Sequence, residues 1–377
     1  MNVHILTTVA GAGHNQAARA IAKAFAEDAP MHGAEYIDLS EVGTTLVKKM
    51  YNDAYLKMVE KTPALWGYFY DHYDQKKLSV AKEKLKALFA KINSRAFEKK
   101  LIADQPDLII ATHFYPAEIA LRLKAKGKLK SRLHVVITDY QPHMFWVLEG
   151  TDHYYVADDE TRHNLAARGV EASRITTTGI PVDPKFAAKR DRRELRGKLG
   201  LDPSKFTALL TSGGMGVGPI EEIYRAMLSL GPRIPQVMVV CGRNEKLKAQ
   251  LDRVPVPEGV RAKIFGFVTN MEELMSASDL LVSKCGGLTT AESLAIGLPL
   301  LILHPIPGQE AQNADLLLER GVAVKANDVP SLQYKLNRLL DEPGKLDAMR
   351  ANIRKLARPF AARDLVRHAV GLPAVES

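Results

Sequence analysis

The sequence contains no run of about 18 apolar residues, so no segment is predicted to span a membrane. Its N-terminus lacks the basic region of a signal peptide and passes directly into a strand-and-glycine pattern. Only two cysteines occur, Cys241 and Cys285, and neither has the paired spacing or the neighbouring histidines of a disulfide framework or a zinc site. These absences predict a cytoplasmic protein without a structural metal.

What is present is the composition of a globular α/β protein. The chain has 377 residues, of which 46% are hydrophobic and 25% charged, and this length allows two domains with separate cores. The formal net charge of +9 favours an anionic partner: a nucleotide, a nucleic acid or an acidic lipid surface.

Most of this positive charge lies between residues 46 and 101, where 13 lysines and arginines face six acids, an excess of +7. Seven aromatic residues between Tyr51 and Tyr73 are interleaved with them, a composition that suits a lipid headgroup interface. Two solvated helices would have a similar composition. A single-stranded nucleic acid would also suit it, but no nucleic-acid-binding module accompanies the segment. The residues expected to contact the membrane are Lys48, Lys49, Trp66, Lys76 and Lys77.

The chain opens with a predicted strand, Asn2 to Val9, followed by Gly11, Ala12, Gly13 and His14 and a helix of small residues. A single G-x-G is weak evidence for a dinucleotide site, because the third glycine and the ribose-binding acid of that fingerprint are missing. His14 would stand at the helix N-terminus, either as a structural cap or as a group of the site.

A second strand, glycine loop and helix occur between Val282 and Gly321. Gly286 and Gly287 would allow close approach of a ligand, and Thr289 and Thr290 are expected to cap a helix whose free N–H groups could hold a diphosphate. Glu292, about half a turn into that helix, could accept hydrogen bonds from a ribose diol. The next strand delivers Gly308, Gln309 and Glu310 to the same edge of the sheet, where they could contact sugar hydroxyls.

These motifs, G-G-L-T-x-x-E-x-L-A-x-G-L-P and P-x-P-G-Q-E-x-x-N-A, resemble the diacylglycerol glycosyltransferases of glycosyltransferase family 28, the monogalactosyl- and glucosyl-diacylglycerol synthases. More distantly they resemble the lipid II N-acetylglucosaminyltransferase. The resemblance implies that Glu292 holds the ribose and that Gln309 and Glu310 contact the hexose. It also implies a catalytic role for His14 and acceptor-side roles for the residues of T-D-Y-Q-P-H-M-F-W. The implied acceptor-side residues are Gly13, Asp139, His143 and Trp146.

The resemblance further implies a donor site built from several loops. The loop from Gly213 to Gly216 would face the diphosphate, and the turn at Phe267 and Val268 would contact the uracil. The full set of implied donor residues is Gly213, Gly214, Met215, Gly216, Arg243, Phe267, Val268, Gly286, Gly287, Leu288, Thr289, Glu292, Gln309 and Glu310.

We therefore expect the glycosyltransferase B architecture: two doubly wound, Rossmann-like α/β domains facing a cleft. Residues 1–185 would form the acceptor and membrane-facing domain and residues 204–358 the UDP-sugar domain. Residues 359–377 would form a helix that returns to the first domain.

The expected activity is inverting transfer of a hexose from a UDP-sugar to diacylglycerol or a glycosyl-diacylglycerol, at the inner face of the cell membrane. His14, with Asp139 nearby, would act as the base. No cofactor or metal is expected, since helix N-termini can stabilise the leaving diphosphate and no D-x-D motif indicates a metal. The alternatives are a lipid II type transferase, a UDP-sugar epimerase and a non-catalytic UDP-sugar sensor.

Overall fold

The computed structural model describes residues 1–8, 12–42, 95–211 and 218–375. It divides into two compact units. The first comprises Met1–Pro184, Ile306–Gln309 and Phe360–Ser377, and the second comprises Lys185–Pro305 and Glu310–Pro359. Each unit contains a six-stranded parallel sheet with helices, which confirms the predicted pair of doubly wound α/β domains.

The sheet of the first unit has the strand order β2-β1-β3-β4-β5-β6. The strand Leu108–Ala111 is an apolar run that is buried along its whole length, and the strand Arg132–Val136 is buried except at its first residue, as expected for a parallel sheet covered on both faces. The strands are β1 (Asn2–Thr7), β2 (Gly33–Asp38), β3 (Leu108–Ala111), β4 (Arg132–Val136), β5 (His153–Val156) and β6 (Ile175–Thr177). The helices are α1 (Ala12–Asp28), α2 (Leu39–Val42), α3 (Arg95–Asp104), α4 (Phe114–Ala125), α5 (Asp159–Ala167) and, at the C-terminus, α14 (Ala361–Ala369).

Helix α14 packs against α1 within the first unit. The contact is close because α1 presents small residues such as Ala18, while Ile21 and Phe25 meet the apolar face formed by Leu365 and Val366. All five side chains are almost completely buried. The C-terminal helix therefore completes the core on one side of the first sheet.

The sheet of the second unit has the order β12-β11-β10-β7-β8-β9. Its strands are β7 (Thr207–Thr211), β8 (Gln236–Val240), β9 (Arg261–Phe265), β10 (Leu280–Ser283), β11 (Leu300–Leu303) and β12 (Ala323–Ala326). Its helices are α6 (Arg192–Lys198), α7 (Ile220–Leu228), α8 (Glu245–Leu251), α9 (Met271–Ser276), α10 (Gly287–Ile296), α11 (Gln309–Glu319), α12 (Val329–Asp341) and α13 (Pro343–Leu356). Because β7 and β10 are neighbours, the loops that follow them open at the same carboxyl edge.

Basic residues 48, 49, 76 and 77 and Trp66 lie outside the described residues, so their membrane role stays a prediction. The end of the basic segment is described, and it forms part of α3. There Phe97 and Leu101 are fully buried, and the Lys100 ammonium lies 2.9 Å from carboxylate oxygens of both Glu35 and Asp104. Within the described residues no helix combines the length and the apolar character needed to cross a bilayer.

Three histidines meet where α14 covers the first sheet. The Tyr155 hydroxyl lies 3.3 Å from His134 Nδ1 and 3.0 Å from His368 Nδ1, and the rings of His153 and His368 are 4.8 Å apart between centroids. Burial lowers the pKa of His134 to about 3 and that of His153 to about 4, and it also lowers the pKa of His368. Arg132 adds to the effect on His134, whereas Asp152 opposes it.

This histidine cluster predicts a loss of stability in acid. Because the folded-state pKa values lie below the ordinary value of 6.5, the contribution is complete above pH 6.5 and is lost as the pH falls toward 4. Urea denaturation at a series of pH values should show the free energy of unfolding decreasing over this window. His368→Gln, which cannot titrate, should show a smaller decrease, whereas His163→Gln on the exposed face of α5 should behave as the parent. Identical pH dependence in the His368 variant and the parent would contradict this assignment.

Candidate functional site

His14 lies at the carboxyl edge of the first sheet, on the opening turn of α1. Its Nδ1 is 2.9 Å from the Thr112 carbonyl oxygen and 2.8 Å from Thr138 Oγ1. Since a carbonyl oxygen can only accept, the proton resides on Nδ1 and is shared by these two acceptors. The Nε2 atom is therefore the unprotonated, basic nitrogen.

The environment of His14 keeps its imidazole neutral. Burial lowers its pKa to about 4, which exceeds the opposing effect of the hydrogen bond to the Thr112 carbonyl. The Thr112 hydroxyl also donates to the His14 carbonyl at 3.0 Å, so the end of β3 is joined to the start of α1 twice. A neutral imidazole fixed in one tautomer can accept a proton at neutral pH.

Aromatic residues surround this imidazole. The His113 ring meets it edge-on at 4.8 Å between centroids, and the Trp146 ring lies 6.1 Å away. Trp146 is buried on a short 3₁₀ helix, Met144–Trp146, whose first turn is capped by His143, because His143 Nδ1 accepts from the Phe145 N–H at 3.1 Å. The predicted acceptor residue Trp146 is thus beside His14, while His143 shapes the loop that carries it.

Sequence reasoning singled out Asp139 but missed Thr112 and Thr138, which are the direct partners of His14 Nδ1. Asp139 directly follows Thr138 and is half-buried, and Gly13 directly precedes His14 on α1. Both threonines stand at the ends of predicted strands, and this position is the feature of the sequence that could have identified them as site residues. A position at a strand's carboxyl end marks a candidate even when the residue is not charged.

In the second unit, the helix start at Gly287 corrects one prediction. Gly286 is the N-cap of α10 and makes no side-chain capping bond, so Thr289 and Thr290 lie inside the first turn and do not cap the helix. Gly286 follows the last residue of β10 by three positions, and a glycine cap leaves the first N–H groups of the helix without a side-chain acceptor. Within the described chain, the buried Thr290 hydroxyl also has no hydrogen-bond partner.

The early start of α10 moves Glu292 into the second turn, beyond the half turn expected from the sequence. Glu292 is half-buried, as is Leu288 near the helix start. Gln309 begins α11, and Glu310 follows it with only 8% of its surface exposed. A Cβ atom on Gly286 would sit 3.5 Å from Glu310 Oε1, so the structure brings these two predicted donor residues together.

Arg243 and Phe267 follow the neighbouring strands β8 and β9 and form a pair. The Arg243 guanidinium carbon lies 5.2 Å from the centre of the Phe267 ring, which is 54% exposed. An exposed ring beside a guanidinium offers a flat face on which a nucleobase can stack. Val268, the other residue of this turn, is half-buried.

Two further residues that the sequence analysis did not single out line a hollow at the carboxyl ends of β7, β10 and β11. These are Lys284, which directly precedes Cys285, and His304, whose φ of 46° is left-handed. Such backbone strain outside glycine is often found at functional sites. Gly213, Gly214, Met215 and Gly216, which were predicted to face the diphosphate, lie outside the described residues, so their role stays a prediction.

Among the described residues, one group has the ligand types of a metal site: His4, Glu35 and Asp104. However, the Lys100 ammonium already contacts both carboxylates. A divalent cation would have to displace this ammonium, so the group is explained as an ion-pair network.

Comparison with known proteins assigns both units. Residues 14–182 match the monogalactosyldiacylglycerol (MGDG) synthase family, and residues 211–364 match the glycosyltransferase family 28 C-terminal domain. A processive diacylglycerol beta-glucosyltransferase from Bacillus thuringiensis (strain Al Hakam) is 30% identical over 365 residues, which cover 97% of this chain and 92% of that protein. The enzyme of the same name from Bacillus pumilus (strain SAFR-032) is 28% identical over 371 residues, covering 97% and 94%.

Solved structures share the fold at low identity. Acinetobacter baumannii MurG has a TM-score of 0.62 at 15% identity, with 99% of this chain and 100% of that chain covered. S. aureus MnaA, solved with UDP, has a TM-score of 0.65 at 13% identity, with 100% and 99% covered. The predicted architecture and family resemblance are confirmed. The lipid II transferase and epimerase alternatives are supported only by the shared fold of solved structures at low identity. The chain belongs to the diacylglycerol glycosyltransferases of glycosyltransferase family 28.

Proposed function

We propose that this glycosyltransferase moves a hexose, glucose first among the candidates, from a UDP-sugar to the hydroxyl of diacylglycerol or of a glycosyl-diacylglycerol. The observation that carries the proposal is His14, neutral and fixed in one tautomer at the carboxyl edge of the unit that matches the MGDG synthase family. The named enzymes from Bacillus that match nearly the whole chain support the lipid acceptor and the choice of glucose.

In the proposed reaction, His14 Nε2 accepts the proton of the acceptor hydroxyl while the hydroxyl oxygen attacks the anomeric carbon of the sugar. The bond between that carbon and the diphosphate oxygen breaks, and UDP leaves with the electron pair. A single displacement of this kind inverts the anomeric configuration. Asp139, next to Thr138, is proposed to assist the base, and Trp146 is proposed to cover the acceptor side of the imidazole.

The donor is proposed to lie along the carboxyl edge of the second sheet. Uracil would stack on the Phe267 ring, and the diphosphate would accept hydrogen bonds from the uncapped start of α10. Lys284, which pairs with no acid among the described residues, would add positive charge beside the diphosphate. With these groups available, we propose that transfer needs no metal ion.

Glu292 provides a test of the donor site. If its carboxylate accepts two ribose hydroxyls, Glu292→Ala should weaken UDP binding by about 1.5–3 kcal/mol, because charge-assisted hydrogen bonds are lost. Glu319→Ala, at the far end of α11, is the matched control, since it removes an exposed glutamate from the same unit. Calorimetry should show weaker UDP binding only for the first variant, and unchanged affinity would remove Glu292 from the site.

A direct assay tests the activity. Purified protein incubated with diacylglycerol vesicles and UDP-glucose should release UDP and form a glucosylated lipid, identified by mass analysis. Parallel reactions with UDP-galactose, UDP-glucuronate and UDP-N-acetylglucosamine should be slower. Epimerised UDP-N-acetylglucosamine without lipid product would support the epimerase alternative, and UDP binding without turnover of any donor would support the sensor alternative.

A further inference from the structure

Two side-chain hydrogen bonds join the segment before α10 to the start of α11. The fully buried Asn313 amide donates from Nδ2 to the Cys285 carbonyl oxygen at 3.1 Å. The fully buried Cys285 Sγ lies 3.0 Å from the Glu310 carbonyl oxygen. Because burial raises the pKa of this thiol, it stays protonated and its S–H donates to that carbonyl.

The two hydrogen bonds connect the segment before α10 to the start of α11, two parts of the chain that are separated in sequence. Cys285 directly precedes the glycine cap of α10, whereas Glu310 and Asn313 lie on the first turns of α11, beyond the whole of strand β11. A third contact lies between them, where the Glu310 carboxylate approaches Gly286. If the Asn313 amide were absent, the buried Cys285 carbonyl would lose this hydrogen-bond donor, which would favour a shift of the loop.

We propose that Asn313 and the Cys285 thiol are positioning residues that hold the diphosphate loop and the hexose-contacting turn in one fixed arrangement. The inference rests on the proposed function, in which Gly286 and Gly287 face the diphosphate and Gln309 and Glu310 face the hexose. A UDP-hexose spans both parts, so its two halves are held correctly only if the distance between them is fixed. Of these two parts, UDP alone would contact only the diphosphate loop, because it carries no hexose.

Asn313→Ala should therefore affect the hexose more than the nucleotide. The affinity for UDP should change by no more than a few-fold, whereas the extra affinity gained by UDP-glucose over UDP should be lost. The kcat for transfer should fall by about 10²-fold, the effect of a misplacement of about 1 Å. Gln309→Ala should also lose the extra affinity, and the double variant should lose no more than either single variant, because both act on the same contact.

Asn352→Ala is the matched control. Asn352 also donates its side-chain amide to a backbone carbonyl of another element of the second unit, that of Gly321 at 3.4 Å, and it lies outside the donor residues. It should keep the parental ratio of UDP-glucose to UDP affinity. Equal losses of UDP and UDP-glucose affinity in Asn313→Ala, or kinetics equal to the parent, would overturn the positioning role.

The cysteine gives an independent pair of variants if Asn313→Ala does not fold. Cys285→Ser retains a donor to the Glu310 carbonyl and should keep more of the extra UDP-glucose affinity than Cys285→Ala. Equal values for these two variants would overturn the proposal. A parent protein that binds no UDP-sugar would instead refute the proposed function, so the two failures are distinguishable.

Discussion

Replacing His14 by alanine should lower kcat by about 10²–10⁴ while leaving the affinity for UDP unchanged. The imidazole is placed for proton transfer because Nδ1–H is held by Thr112 and Thr138, which leaves Nε2 as the basic atom. It belongs to the first unit, whereas Phe267 and the start of α10, the groups proposed to bind uracil and diphosphate, belong to the second, so its removal should affect the chemical step and not the nucleotide. Single-turnover transfer and calorimetric UDP binding measure the two effects separately.

Two variants control the interpretation. His163→Ala removes an exposed histidine from α5 and should turn over as the parent does. Thr138→Val removes one acceptor of the Nδ1 proton but leaves the Thr112 carbonyl, so it should cost less than His14→Ala, and Thr138→Ser should recover most of the loss. Turnover of His14→Ala close to the parental rate would move the role of base to Asp139 or to water.

The sequence could predict which residues lie at the ends of strands, but not which strand ends are neighbours. His14 and Thr138 are 124 residues apart, and their contact depends on the order β1-β3-β4 in the sheet. Periodicity and glycine patterns identify the strands, whereas their order follows from packing of the whole unit. For this reason the motif identifies His14, whereas it does not identify the two hydrogen-bond partners of its imidazole.

Element boundaries show the same limit at shorter range. The glycine-rich opening predicts a strand from Asn2 to Val9, whereas β1 ends at Thr7. Strand β2, Gly33–Asp38, was not predicted at all, since its first four residues are exposed or half-buried and give no continuous apolar run. For α10, the sequence predicts a longer glycine loop than the structure has, so the predicted position of Glu292 in the helix differs from the observed one by about one turn.

The largest effect on binding is expected from the basic segment. Changing Lys48, Lys49, Lys76 and Lys77 to glutamate should weaken binding to vesicles that contain anionic lipid by at least about 10²-fold, since each basic residue near such a surface contributes about 1 kcal/mol. Sedimentation should show parental binding that rises with anionic lipid content and falls with salt, because screening shortens the range of these interactions. Trp66→Ala should reduce the binding that persists at high salt, as burial of an apolar ring is insensitive to screening.

A change in net charge alone could weaken binding to an anionic surface, so the control variant must change the net charge by the same amount. Lys126, Lys128, Lys130 and Lys246 are exposed lysines of the described residues, and their replacement by glutamate alters the net charge equally at other places. If the segment docks, this control should bind far more tightly than the variant of Lys48, Lys49, Lys76 and Lys77. Equal losses would show a general charge effect, and equal binding of the parent to neutral vesicles would contradict electrostatic docking. Transfer to a soluble short-chain diacylglycerol should survive in both variants, because this acceptor does not require docking on a lipid surface.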